Sequence, residues 1–198
     1  MTDPTPGEPT RVVLARHGET EWSASGRHTG RTDIPLTDRG RDEARRLGRA
    51  LAGRSFARVL VSPLVRARQT AELAGVGDRA IVDDDLREWD YGVYEGRTRV
   101  EIAAEEPGWT VWTRPIRGGE SLAQLGARAD RVIDRLLPLE GDILLVSHGH
   151  FLRVLASRWV GAEPGLAGHL ELATGTLSEL GWETDRRSIE TWNVPIPA

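Results

Sequence analysis

An apolar run at residues 12–15 ends abruptly in Arg16, His17 and Gly18. Such a run predicts a buried β-strand, and open α/β folds bind their ligands at the carboxyl ends of such strands. There Arg16 offers a permanently charged fork for oxyanions, His17 a nitrogen nucleophile, and Gly18 a backbone that a ligand can approach closely. The segment therefore indicates a phosphate site, although three residues alone are equally consistent with a strand that ends in surface side chains.

Two later segments make the phosphate site the better interpretation. A second apolar run is followed by His148 and Gly149 and then by a helical pattern. Between these two runs lies a third, which is followed by Ser62 and Pro63. Ser62 is suited to cap a helix and Pro63 to occupy its first position, which would hold Arg66 in the first turn, over the same sheet edge.

The remaining pattern alternates strands with helices, which predicts a mostly parallel sheet covered on both sides. Residues 21–35 are rich in Gly, Ser and Thr and predict a long loop over the sheet edge. Helices are predicted after Thr37, over residues 63–74 and 99–106, after a capping box at Ser121, and over residues 152–160. A short strand is predicted at residues 80–82, and two or three strands at residues 170–192.

Three segments, at residues 14–20, 62–70 and 147–150, match in order the pattern of one known family. The sequence resembles the histidine phosphatase (phosphoglycerate mutase-like) superfamily over nearly its whole length. The resemblance implies an α/β fold, a three-layer αβα sandwich with a mostly parallel central sheet. Residues 1–10 are polar and proline-rich and predict a flexible N-terminal tail, so residues 11–198 would form a single histidine phosphatase domain.

The acid of the site is sought among residues 82–96. Glu88 is flanked by Trp89 and Tyr91, which would desolvate its carboxyl group and keep it partly protonated near neutral pH. The resemblance places the proton donor of the family at Glu88, shortly before a Tyr-Gly pair. The three aspartates at residues 83–85 do not fit a calcium loop and predict a solvated turn.

The resemblance implies a mechanism with five catalytic residues. His17 attacks the phosphorus of a phosphomonoester to give a phosphohistidine, while Glu88 protonates the departing alkoxide and then activates water. Arg16, Arg66 and His148 would contact the equatorial phosphate oxygens. We expect His17 to be uncharged and His148 to be protonated. No metal and no other cofactor is expected.

The substrate side is predicted from details of the resemblance. The segment between Gly96 and Ser121 is short, which leaves little cover for a phosphoenzyme and favours hydrolysis over mutase action. Several motifs look most like the subgroup of sedoheptulose bisphosphatases and bacterial acid phosphatases, which implies a sugar phosphate or bisphosphate. The substrate-binding residues would be Ser23, Thr29, Gly30, Tyr91, Gly149 and His150. Arg27 and His28 could join them at the non-reacting end, but a surface or packing role is the favoured interpretation for both.

The amino-acid composition limits both the chemistry and the binding partners that this chain can have. The 198 residues contain no cysteine, and all 26 basic residues are arginine, so thiolate and lysine chemistry are excluded. A net charge of −4 argues against general nucleic-acid binding, and no apolar run reaches the ~18 residues of a membrane span. The polar start is unlike a signal peptide, so we expect a cytoplasmic enzyme that binds a small phosphate ester. The oligomeric state stays open, with a homodimer as one possibility.

Three other functions stay open. A phosphoglycerate mutase would need a bisphosphate primer and would yield an isomer instead of free phosphate. A metallohydrolase could use His148 and His150 as zinc ligands, because alternate histidines can share one ion. A non-catalytic module could bind a phosphorylated ligand without turning it over.

Overall fold

Six strands form one sheet in the computed structural model, which describes residues 10–197. The strands are β1 (Val12–Arg16), β2 (Arg58–Val61), β3 (Ala80–Val82), β4 (Ile143–Ser147), β5 (Thr176–Glu183) and β6 (Arg186–Pro195). Their order is β3-β2-β4-β1-β5-β6. The first four are parallel, and β5 pairs antiparallel with both β1 and β6. The mostly parallel sheet is thus confirmed.

Helices cover both faces of this sheet. They are α1 (Glu21–Ala24), α2 (Asp38–Leu51), α3 (Val65–Leu73), α4 (Arg99–Glu105), α5 (Leu122–Leu136) and α6 (Gly149–Trp159). Successive residues of a strand face opposite sides of the sheet. Val13 accordingly packs in a cluster with α2 and α3, and Leu14 in a larger cluster with α5 and α6. This is the predicted three-layer αβα sandwich.

Most helix boundaries follow the sequence signals. Thr37 accepts the N–H of Gly40 at the start of α2, and Ser121 and Gln124 form the predicted capping box of α5. Of the predicted tail at residues 1–10, all but Thr10 lies outside the described residues. The Thr10 side chain is buried, and its hydroxyl donates to the carbonyl of Leu139.

Three of the predicted boundaries were wrong. The helix α3 begins at Val65, so Ser62 does not cap it and Pro63 is not its first residue. The Ser62 hydroxyl is instead bonded to a histidine ring, as described below, while Arg66 still lies in the first turn. The predicted loop at residues 21–35 contains the one-turn helix α1, and α6 begins at Gly149, three residues before the predicted start.

The predicted solvated turn is only partly present: Asp84 is exposed, whereas Asp83 and Asp85 are half-buried. Asp83 caps a short 3₁₀ helix, Asp84–Leu86, that contains the other two aspartates. Asp83 and Asp85 each bind Arg135, and Asp85 also binds Arg131, at 2.8 to 3.0 Å. Asp83 and Asp85 are therefore tied to the exposed face of α5.

Candidate active site

Strands β1 and β4 bring the two motif histidines together. They are parallel neighbours in which Arg16 lies opposite Ser147, so the next residues, His17 and His148, leave the sheet side by side. The N–H of His17 donates to the carbonyl of Ser147 at 3.0 Å, and the centroids of the two imidazole rings are 5.1 Å apart. The predicted convergence of the two motifs is confirmed.

His17 is held as an uncharged imidazole with one free nitrogen. Its Nδ1 lies 2.7 Å from the carbonyl oxygen of Gly18, which can only accept, so Nδ1 carries the proton. Nε2 therefore keeps its lone pair. Burial, followed by the charges of Arg66 and Arg16, holds the pKa of His17 well below its usual 6.5. The expectation of an uncharged, nucleophilic His17 agrees with this geometry.

Gly18 is required here by packing as much as by any ligand. A Cβ on Gly18 would overlap the carbonyl oxygen of Gly40, in the first turn of α2. The N–H of Gly18 donates to the hydroxyl of Thr70 at 3.1 Å. Two helices thus fix the peptide that sets the tautomer of His17.

Arg16 lies at the same end of the site, against the start of α6. A Cβ added to Gly149 would come within 3.2 Å of the guanidinium carbon of Arg16, so glycine allows this close approach. Nη1 donates to the carbonyl of Leu172, whereas the buried Nε has no partner among residues 10–197. Burial lowers the pKa of Arg16 from its usual value, and its guanidinium is available to an oxyanion.

Glu88 sits at the N-terminus of α6. Its Oε1 accepts the backbone N–H groups of Trp89 at 2.9 Å and Phe151 at 2.8 Å, and its Oε2 accepts that of His150 at 3.0 Å. A helix N-terminus stabilises a carboxylate in this way. Glu88 is only 9% exposed and Trp89 is fully buried, so the predicted desolvation is present. The three N–H donors were not predicted, since two of them are more than 60 residues away.

Arg66 and His148 are both 0% exposed, and the centroid of the His148 ring lies 5.1 Å from that of His17. Arg66 donates to the carbonyls of Thr29, Gly30 and Thr32 at 2.9 to 3.0 Å, and its Nε donates to Nδ1 of His148 at 3.1 Å. These bonds tie the loop before α2 to the sheet edge. Neither side chain lines the cleft that contains His17, so direct contact of either with a phosphate stays a prediction.

His148 is a neutral imidazole with one proton, and not the doubly protonated, charged ring that was expected. Because Arg66 only donates, Nδ1 of His148 accepts, and Nε2 carries the proton toward the Ser62 hydroxyl at 2.6 Å. Burial, the Arg66 charge and the neighbouring His17 hold the pKa of His148 well below 6.5. A charged imidazole that is fully buried beside an arginine loses its hydration and is repelled by the arginine, and the sequence does not show this burial.

A cleft of about 190 Å³ connects the predicted residues. Its lining includes eight of the eleven predicted site residues: Arg16, His17, Ser23, Thr29, Glu88, Tyr91, Gly149 and His150. Besides Arg66 and His148, the residue left out is Gly30. Its N–H is bonded to both carboxylate oxygens of Glu95, at 2.8 and 3.0 Å, so this donor is already used, and substrate binding by Gly30 stays a prediction.

The far end of the cleft is formed by aromatic and imidazole rings. The Tyr91 hydroxyl is hydrogen-bonded to Nδ1 of His150, and the rings of His28 and Tyr91 are 4.9 Å apart. His28 donates from Nδ1 to the carbonyl of Arg97 at 2.8 Å. Burial lowers the pKa values of His28 and His150 and raises that of Tyr91, so all three are neutral near pH 7.

Three charged or imidazole side chains line the cleft although the sequence did not favour them as site residues. Arg27 and His28, for which a surface or packing role was favoured, both line the cleft. Arg153 lines it as well, with its guanidinium 4.6 Å from the ring centroid of Trp112. Arg153 lies one turn after Gly149 on α6, so the helical period starting at the histidine-glycine motif could have found it.

The predicted zinc alternative does not fit this geometry. Among residues 10–197 there is no group of three His, Asp or Glu side chains placed to hold an ion. Both nitrogens of His148 are already hydrogen-bonded to protein groups, and Nδ1 of His150 is bonded to Tyr91.

Among residues 10–197, no helix is long and apolar enough to cross a membrane.

Comparison with known proteins supplies the family. The model of the histidine phosphatase superfamily (branch 1) matches residues 12–195. The chain belongs to this superfamily. An acid phosphatase of Mycobacterium tuberculosis is 41% identical over 185 residues, which cover 90% of each chain. The solved structure of the Rv3214 product of the same organism superposes with a TM-score of 0.89 at 38% identity, covering 95% of this chain and 99% of that one.

Two further members of the superfamily carry different names. Sedoheptulose 1,7-bisphosphatase of Saccharomyces cerevisiae is 38% identical over 76% of this chain and 68% of its own. A probable phosphoglycerate mutase, GpmB, of Salmonella choleraesuis is 32% identical over 93% of this chain and 90% of its own. With phosphatases as its more similar named relatives, this chain is a phosphatase of the histidine phosphatase superfamily.

Proposed function

We propose that the protein hydrolyses a small phosphomonoester, without a metal ion, through a phosphohistidine at His17. The observation that carries the proposal is the hydrogen bond from Nδ1 of His17 to the carbonyl of Gly18, at 2.7 Å. It leaves Nε2 as the lone-pair nitrogen of an uncharged side chain that lines the cleft together with Arg16 and Glu88. An unprotonated nitrogen beside a cation and a carboxyl group suits in-line attack on phosphorus.

In the first step Nε2 of His17 attacks phosphorus and the bond to the ester oxygen breaks. Protonated Glu88 gives its proton to that oxygen, so the product leaves as a neutral alcohol. Oε2 is the carboxyl oxygen suited to this transfer, because it accepts one backbone N–H whereas Oε1 accepts two. Arg16 stabilises the charge that develops on the transferred phosphoryl group.

In the second step ionised Glu88 takes a proton from water as the water oxygen attacks the phosphorus. The bond between phosphorus and Nε2 breaks, phosphate leaves, and His17 is again neutral. Glu88 is then protonated for the next turnover. The buried bonds between Arg66, His148 and Ser62 keep the histidine pair in place during both steps.

The substrate class we infer is a sugar phosphate or bisphosphate. Two observations support it: a relative named sedoheptulose 1,7-bisphosphatase, and a cleft whose lining offers neutral hydrogen-bonding groups beside the charged Arg16, Arg27, Glu88 and Arg153. Ser23, Thr29, His28 and His150 are such groups, and they suit the hydroxyls of a sugar. A cytoplasmic location is part of the same proposal.

The test is phosphate release from sugar monophosphates, sugar bisphosphates, phosphoglycerates and an aryl phosphate, with a chelator present. The wild type is compared with His17→Ala and with His169→Ala, which removes an exposed histidine outside the cleft. We expect release by the wild type and by His169→Ala and none by His17→Ala. Isomerised phosphoglycerate without free phosphate would establish a mutase instead. Tight phosphate binding without turnover of any ester would establish a non-catalytic module.

A further inference from the structure

The segment that carries Glu88 has no place in the sheet. It connects the 3₁₀ helix Asp84–Leu86 to Tyr91, at the far end of the cleft. Its carbonyl groups are taken up by a side chain from α5: Arg128 donates to the carbonyls of Asp85, Arg87 and Glu88 at 2.8, 2.6 and 3.3 Å. One guanidinium thus fixes three peptides on the segment that bears the acid.

Glu120 completes the coordination of this guanidinium. Its two carboxylate oxygens accept from Nε and Nη2 of Arg128 at 2.9 and 2.7 Å. All five N–H groups of Arg128 are therefore used, and the residue is only 9% exposed. A lysine has three donors on one atom and cannot reproduce this pattern.

Arg128 and Glu120 are also linked to the carboxyl group of Glu88 through two neighbouring residues, Phe151 and Trp89. The guanidinium carbon of Arg128 lies 4.8 Å from the ring centroid of Phe151, whose N–H donates to Oε1 of Glu88. On the other side, the N–H of Trp89 donates to Oε1, and the Trp89 indole donates to the carbonyl of Glu120 at 2.7 Å. Arg128 and Glu120 therefore contact both residues that donate to this oxygen.

We propose that Arg128, held by Glu120, is a positioning residue for proton transfer by Glu88. The proposal depends on the proposed function, in which Glu88 protonates the leaving group. Arg128 does not line the cleft that contains His17, so it acts through Glu88 and not on the phosphate. A misplacement of about 1 Å at a reacting group can cost about 100-fold in rate. That loss should appear only with esters whose leaving group needs a proton.

The experiment compares two esters in each variant. Glycerol 2-phosphate has a poor, alkoxide leaving group, and 4-nitrophenyl phosphate has a good one. In Arg128→Gln we expect kcat/KM for glycerol 2-phosphate to fall about 100-fold and that for 4-nitrophenyl phosphate to fall no more than about threefold. Arg128→Lys keeps the charge and some of the bonds, so its ratio should lie between those of Arg128→Gln and the wild type.

Arg131→Gln is the matched control. Arg131 lies on the same helix and binds the carboxylate of Asp85, not the carbonyl groups of the segment. Both kcat/KM values should stay at the wild-type level in this variant. In Glu88→Gln, adding Arg128→Gln should not lower the alkyl to aryl ratio further, because both changes remove the same step.

Equal losses for the two esters in Arg128→Gln and Arg128→Lys would overturn the proposal, since a merely structural role lowers both together. Unchanged kcat/KM values for both esters in both variants would overturn it as well. So would a further fall of the alkyl to aryl ratio when Arg128→Gln is added to Glu88→Gln. Failure of the proposed function looks different: His17→Ala would then retain turnover, or the wild type would hydrolyse neither ester.

Discussion

The two ends of the cleft are built in different ways. The residues of the reacting end are held by the backbone of regular elements: His17 directly follows β1, and Glu88 is bonded to the first N–H groups of α6. The far end consists of side chains from distant segments, with His28, Tyr91 and His150 in mutual ring contact. Backbone geometry positions the reacting end, whereas side-chain packing builds the far end. The changes below act on one end or the other.

Loss of the nucleophile is the largest expected effect. His17→Asn keeps the size and polarity of the side chain but has no nucleophilic ring nitrogen, so turnover of every ester should fall by more than about 10⁴-fold. Phosphate release measured beside His169→Ala checks this. An undiminished rate in His17→Asn would remove His17 from the mechanism.

Loss of the acid should separate the two kinds of ester. Glu88→Gln cannot donate a carboxyl proton, so hydrolysis of alkyl phosphates should fall by about 10²- to 10⁴-fold, and hydrolysis of an aryl phosphate less. Steady-state rates for a series of leaving groups of different pKa measure this dependence. Equal losses across the series would show that Glu88 is not the acid.

Stability should fall as the pH drops below the usual histidine pKa. Burial lowers the folded-state pKa values of four histidines, His17, His28, His148 and His150. Near pH 6.5 the unfolded chain therefore binds more protons than the folded chain does. The unfolding free energy then decreases below pH 6.5, by up to about 1.4 kcal/mol per pH unit for each histidine.

Urea unfolding between pH 7.5 and pH 5 measures this loss. The variant His28→Asn, which removes one of the four histidines, should have a shallower slope than the wild type. The same slope in both proteins, or a stability that is constant over this range, would contradict neutral, buried imidazoles in the cleft.

The smallest expected effect concerns the far end. Tyr91→Phe removes the hydroxyl that is bonded to Nδ1 of His150. This bond orients His150, which we propose as a contact for the sugar. Since one neutral hydrogen bond contributes about 0.5–1.5 kcal/mol, KM for a sugar phosphate should rise about two- to twelvefold. Kinetics with 4-nitrophenyl phosphate, which has no sugar hydroxyls, should be unchanged. A parallel loss with both esters would mean that Tyr91 serves the reacting end.

Short-range signals predicted much of this molecule. Apolar runs located β1 and β4, and the residues that follow them, His17 and His148, meet because parallel neighbours end at one edge. The capping box at Ser121 gave the start of α5. These features depend on residues close together in the sequence, and for that reason a pattern reveals them.

Long-range contacts account for what the sequence did not predict. The neutral state of His148 depends on burial and on Arg66, and the position of Gly30 depends on the Glu95 carboxylate. The contact of Arg128 with the Glu88 segment joins residues about 40 positions apart. No local pattern contains such pairs, since they arise only when the helices pack on the sheet.

The most direct test of the central claim is to look for phosphate on His17 itself. Glu88→Gln is mixed with 4-nitrophenyl phosphate, quenched in base within one turnover, and digested for mass spectrometry. We predict phosphate on the peptide that contains His17, stable in base and lost in acid, and accumulating because the second step lacks its base. Release of 4-nitrophenol in a full turnover with no phosphate on His17 at any time would contradict the account.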